Sequence, residues 1–114
     1  MITITFAILL SFTASEYELA GKTSAALILC SQLNTQVKQE QISKYIKFER
    51  ELNNLFSLSG ENEKHYIEGQ VLFIDSFAHI EKSKPVDEQL LSPERCDDHL
   101  QAAKKLIIRA KGNN

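Results

Sequence analysis

The chain has 114 residues, with 13 Lys and Arg against 15 Asp and Glu and a formal net charge of −2. That balance gives no reason to expect nucleic acid or an anionic membrane as partner, and the length holds one domain. Glycine and proline are scarce and tryptophan is absent; there is no repeat and no low-complexity segment.

Residues 1–15 carry no charged side chain, and every Asp, Glu, Lys and Arg lies at Glu16 or later. Residues 4–14 form an apolar run whose only polar members are Thr5, Ser11 and Thr13. A helix needs about 20 apolar residues to cross a bilayer core, so this run is too short to span. It has the length of a signal-peptide apolar region, roughly 7–15 residues. Thr13 and Ser15 put small side chains three and one residues before a cut between Ser15 and Glu16, although the usual basic n-region is missing. The expectation is a signal peptide over residues 1–15, export to the periplasm or beyond the cell, and a single domain over residues 16–114 with no membrane span. The alternative is a cytoplasmic protein with a folded apolar N-terminus, in which Ile2-Thr3-Ile4-Thr5-Phe6 alternates as a β-strand does.

Helical spacing begins after this stretch. Ala26, Cys30, Leu33 and Val37 recur at four, three and four residues, one face of a helix. Ile42, Tyr45, Ile46, Phe48, Leu52, Leu55 and Phe56 form a second face, out of phase with the first by roughly 100°. A break in the polar residues 36–41 separates two helices; one long bent helix is the alternative. Ser57-Leu58-Ser59-Gly60-Glu61-Asn62 reads as a turn.

A third helix is predicted over residues 63–82, ended before Pro85. It carries two apolar stripes: Ile67, Val71, Ile74 and Ala78, and Tyr66, Phe73, Phe77 and Ile80. An arc this wide predicts two packing neighbours and a central place in the bundle. Gly69 costs about 1 kcal/mol relative to Ala inside a helix, and a close helix crossing explains its presence. After a linker over residues 83–91, Ser92-Pro93 is a helix start: Ser accepts at the N-cap and Pro at N1 has no amide proton to leave unpaired. Acids at Glu94, Asp97 and Asp98 and bases at Lys104, Lys105, Arg109 and Lys111 suit the two ends of the dipole of this fourth helix. Its buried face is Cys96, Leu100, Ala103, Ile107 and Ala110.

The fold class is therefore all-α, a small bundle of about four helices. Cys30 and Cys96 each sit on a buried face, and in an exported protein an even number of cysteines invites a disulfide. A Cys30–Cys96 bridge staples the first helix to the last. A catalytic thiol is disfavoured, because the acids beside Cys96 raise a thiol pKa.

One polar stripe merits attention as chemistry. His65, Glu68, Leu72, Asp75 and His79 recur at three, four, three and four residues along the third helix. Two imidazoles and two carboxylates on one face are divalent-cation ligands by type. The competing readings are a solvated face with weak ion pairs, each about 0.2–0.5 kcal/mol, and a docking surface centred on Leu72. The basic residues 104–111 lack aromatic interleaving and are explained by the helix dipole. No phosphate-binding loop, haem-attachment motif or nucleophile elbow is present, and no cofactor is implied. These features point to a non-enzymatic protein that binds another macromolecule, most simply a protein. A bundle binding a metal ion or small ligand through the stripe is the alternative.

Overall fold

A computed structural model of the chain describes residues 12–33, 38–56, 61–76 and 91–111. Among these there are four α-helices and no strand: α1 (Ala14–Leu33), α2 (Gln39–Phe56), α3 (Glu61–Asp75) and α4 (Pro93–Ala110). The candidate strand Ile2–Phe6 and the final residues 77–82 of the expected third helix lie outside the described residues.

The start of α1 is fixed by its own sequence. Thr13 is the N-cap, and its hydroxyl accepts from the Glu16 amide at 3.1 Å while its amide donates to Glu16 Oε1 at 2.9 Å. This reciprocal pair satisfies two donors that a helix end leaves open. Phe12, just before the cap, meets Tyr17 edge-on with ring centroids 5.9 Å apart, the apolar staple that often accompanies such a cap. At α4 the expected start holds: Ser92 Oγ accepts from the Arg95 amide at 3.2 Å, with Pro93 at the first helical position.

The helices alternate in direction. Tyr17 meets Phe56 at 5.6 Å and Ser24 meets Glu49, so α1 and α2 are antiparallel. This makes them two helices rather than one bent one. Gly21 faces Tyr66 and Ser24 faces Gln70, so α3 runs parallel to α1. Glu16 pairs with Arg109, and Cys30 bonds to Cys96 with Cα atoms 6.0 Å apart, so α4 returns antiparallel to α1. The disulfide staples the first helix to the last, and the fourth-helix core face holds in full, with Leu106 added.

The central helix is α1, not α3. Tyr17, Ala20, Gly21, residues 23–27 and Cys30 are all buried, which covers almost every side of the cylinder. A helix apolar or small all round is a helix with neighbours all round. The short side chains of Ala20, Gly21, Thr23, Ser24, Ala25 and Ala26 let those neighbours come close. By contrast α3 buries one face only, with Tyr66 and Gly69 at its centre, and packs chiefly against α1. The two-neighbour expectation fails because the Ile67–Val71–Ile74 stripe lies on the flank of α3, round from Tyr66 and Gly69, and is exposed.

Candidate functional site

The polar stripe of α3 is only partly assembled. His65 Nδ1 lies 3.2 Å from Glu68 Oε1, an exposed pair one turn apart. Leu72 is 46% exposed and Asp75 is exposed, while His79 lies outside the described residues. Among the described residues no three His, Cys, Asp or Glu side chains converge as metal ligands would. Both cysteines are held in the disulfide.

A different surface stands out on the same helix. Ile67, Val71 and Ile74 follow i, i+4, i+7 spacing and are 48%, 57% and 55% exposed. They form a ridge, with Leu72 beside it. The ridge runs along the exposed flank of α3, beside the face that glycine pins to α1. A Cβ on Gly69 would stand 1.9 Å from the carbonyl oxygen of Glu18, and one on Gly21 would stand 1.9 Å from that of Tyr66. No L side chain fits at either point, so the backbones of α1 and α3 touch. An open groove of about 460 Å³ runs beside the ridge, lined by Ile67, Val71 and Leu72 with carboxylates from Glu18 and Glu68. Sequence spacing found every ridge residue but assigned the ridge to the core. Gly69 signalled a close crossing in the sequence, but not that its face alone of α3 would be closely packed.

A second open groove, of about 510 Å³, lies between α2 and α4. Phe48, Ile107 and Ile108 form its apolar part, and Lys47, Lys104, Lys111 and Glu51 stand around them. The Lys47 and Lys104 ammonium groups lie 5.6 and 5.7 Å from the Phe48 ring centroid, within cation–π range. Lys111 is also bonded to Glu51 at 2.7 Å. Ile108 is 58% exposed.

Between α1, α2 and α3 the core contains a polar chain that the sequence did not reveal. Gln70 Nε2 donates to Ser24 Oγ at 3.4 Å, and Ser24 Oγ donates to Glu49 Oε2 at 3.5 Å. Asn53 Nδ2 donates to the same Glu49 oxygen at 2.9 Å, and Tyr66 OH donates to Asn53 Oδ1 at 2.5 Å. Burial pushes the Glu49 carboxyl above its ordinary value, against the opposing pull of Ser24 and Arg50. Burial also pushes the Tyr66 phenol up to about 12. Every buried side-chain polar atom among the described residues has a partner. The chain locks three helices in register and reaches no groove described above.

The fold and these surfaces define a class: an all-α protein, four disulfide-linked helices among the described residues, with an apolar flank of α3 exposed. No family model matches the chain, and neither curated proteins nor solved structures give a match.

Proposed function

We propose that this is a small exported helical protein that acts without catalysis, by binding another macromolecule through the outward face of α3. The observation that carries the reading is the ridge of Ile67, Val71 and Ile74, with Leu72 beside it, all about half exposed on a helix that buries Tyr66 and Gly69 against its neighbours. Contiguous exposed apolar surface rimmed by polar residues marks interaction sites. Apolar anchors at i, i+4, i+7 are the pattern by which a helix seats in a partner's groove. Export is supported by the uncharged apolar opening stretch and by the buried Cys30–Cys96 bridge, since such bridges persist in oxidising compartments. Among the described residues no helix is long and apolar enough to cross a membrane.

The test is a photo-crosslinking amino acid placed at Val71 in cells, with exposed Gln101 of α4 as control. A discrete adduct of higher mass from position 71 and none from 101 is the expected result. A position-71 product with no added mass means the chain's own residues occupy the ridge, and the reading falls. Equal adducts from both positions also sink it.

A further inference from the structure

We propose that the macromolecule bound by α3 is a second copy of this chain, whose lysine-rimmed groove between α2 and α4 receives the α3 ridge. The proposal rests on the reading of α3 as a contact face and names its partner.

Two surfaces of the molecule match in shape and charge. The α3 side presents an apolar ridge at Ile67, Val71 and Ile74, with carboxylates at Glu18, Glu68 and Asp75 beside it. The α2–α4 side presents an apolar trough at Phe48, Ile107 and Ile108, with ammonium groups at Lys47, Lys104 and Lys111 and one carboxylate, Glu51, which pairs with Lys111 and leaves the trough net basic. Acid beside one apolar surface and base beside the other favour the encounter and set its orientation. A ridge at i, i+4, i+7 in a trough between two helices is a helix-in-groove contact.

The two surfaces do not overlap. On α2, Asn53 reaches toward Tyr66 of α3, while Lys47 and Phe48 leave the helix on another side. On α4, His99 meets Phe73 of α3 edge-on at 5.5 Å, whereas Lys104 and Ile108 lie on the opposite flank. One molecule therefore offers ridge and trough at the same time. Contact between unlike surfaces is heterologous, so copies join head to tail and the assembly does not stop at two unless it closes into a ring.

The experiment is sedimentation velocity of the purified oxidised protein over a concentration series, with circular dichroism to confirm unchanged helix content in each variant. The wild type is expected to exceed its own monomer mass, fixed by the intact mass of the purified protein, progressively with concentration and to fall back in high salt. Val71→Lys disables the ridge and Lys104→Glu disables the trough. Each alone is expected to weaken self-association roughly tenfold or more. Their equimolar mixture is expected to form a dimer and nothing larger, because each variant keeps the surface the other lacks. Loss of association in Val71→Lys but not in Lys104→Glu points to ridge-on-ridge pairing and overturns the proposal, as does a mixture that stays monomeric. A wild type that stays monomeric at every concentration overturns self-association alone. The wider reading then stands or falls on whether position 71 still crosslinks to a different protein in cells.

Discussion

Glu49 is the only buried carboxylate among the described residues. Burial raises its pKa above the ordinary 4.5, so the folded protein holds this proton more tightly than the unfolded chain does. The stability it contributes is complete below the unfolded value and is lost as pH rises through the folded one. Glu49→Gln keeps the shape and the acceptor for Asn53 but has no charge to desolvate. We expect a higher urea midpoint at pH 7 and a flatter dependence of that midpoint on pH above the carboxylate range. A midpoint that falls at pH 7 would mean the carboxylate is worth more to its neighbours than it loses by burial. Glu16 behaves in the opposite sense. The Arg109 guanidinium, donating at 2.6 and 3.1 Å, holds its pKa down with help from Thr13, so its contribution is present at neutral pH and lost as pH falls. Thr13→Ala removes the cap of α1 and is expected to lower stability by about 1 kcal/mol, read by chemical denaturation. The same residues show how far one stretch can be read. Phe12-Thr13-Ala14-Ser15-Glu16-Tyr17 satisfies the small-residue rule for a cut after Ser15 and also the rule for a capped, stapled helix start. Spacing cannot separate the two, because Thr13 meets both: it is a small side chain three residues before the cut and an N-cap three residues before Glu16. A cut after Ser15 discards Phe12, which packs on Tyr17, Phe56 and Arg109, together with the Thr13 cap. The intact mass of the recovered protein decides which rule the cell obeys.

At the scale of the element, α3 is defined by a contradiction between propensity and packing. Gly69→Ala gains about 1 kcal/mol of helix propensity if nothing else changes. The added methyl meets the Glu18 carbonyl at 1.9 Å, a clash with backbone that no rotamer relieves. Overpacking costs typically about 1–3 kcal/mol and more where backbone must move, so the clash wins. We expect Gly69→Ala and Gly21→Ala each to destabilise the protein. The double variant should lose less than the two separate losses together, because once α1 and α3 have moved apart the second methyl has room. A stabilised Gly69→Ala protein would remove the crossing. Helix existence, the α4 start and its buried face were legible because each depends on neighbours in sequence. Gly69 itself announced a crossing. The partner of that crossing was not legible, since Gly21 carries no label saying which helix it meets. For the same reason the two stripes of α3 looked equally buried, and the choice between them was made by α1. The Ser24–Glu49–Asn53–Tyr66 chain was invisible too, because hydrogen bonds between helices leave no periodicity in the sequence.

The whole molecule is organised so that its first and last helices meet along their length. Glu16 and Arg109 hold one end, and Cys30 and Cys96 hold the other. Between them α1 is wrapped on almost every side, so loosening α4 exposes the centre of the core rather than its edge. The ion pair is exposed and screened by salt; the disulfide is buried and 66 residues apart in sequence. Closing a loop of that length removes freedom from the unfolded chain by about 4 kcal/mol in the chain-entropy account. For a domain whose whole stability is typically about 5–15 kcal/mol, this is the largest single contribution any one bond here can make. Replacing both cysteines by alanine should therefore lower stability by about 4 kcal/mol, a fall in Tm of roughly 15–30 °C at about 4–8 °C per kcal/mol. Breaking Glu16–Arg109 should move Tm far less. Thermal melts of oxidised wild type, Cys30→Ala/Cys96→Ala and Arg109→Gln, compared at low and high salt, separate the two ends. If the alanine pair melts within a few degrees of wild type, α4 is held by its apolar face alone. The bond would then be a consequence of the compartment rather than a condition of the fold.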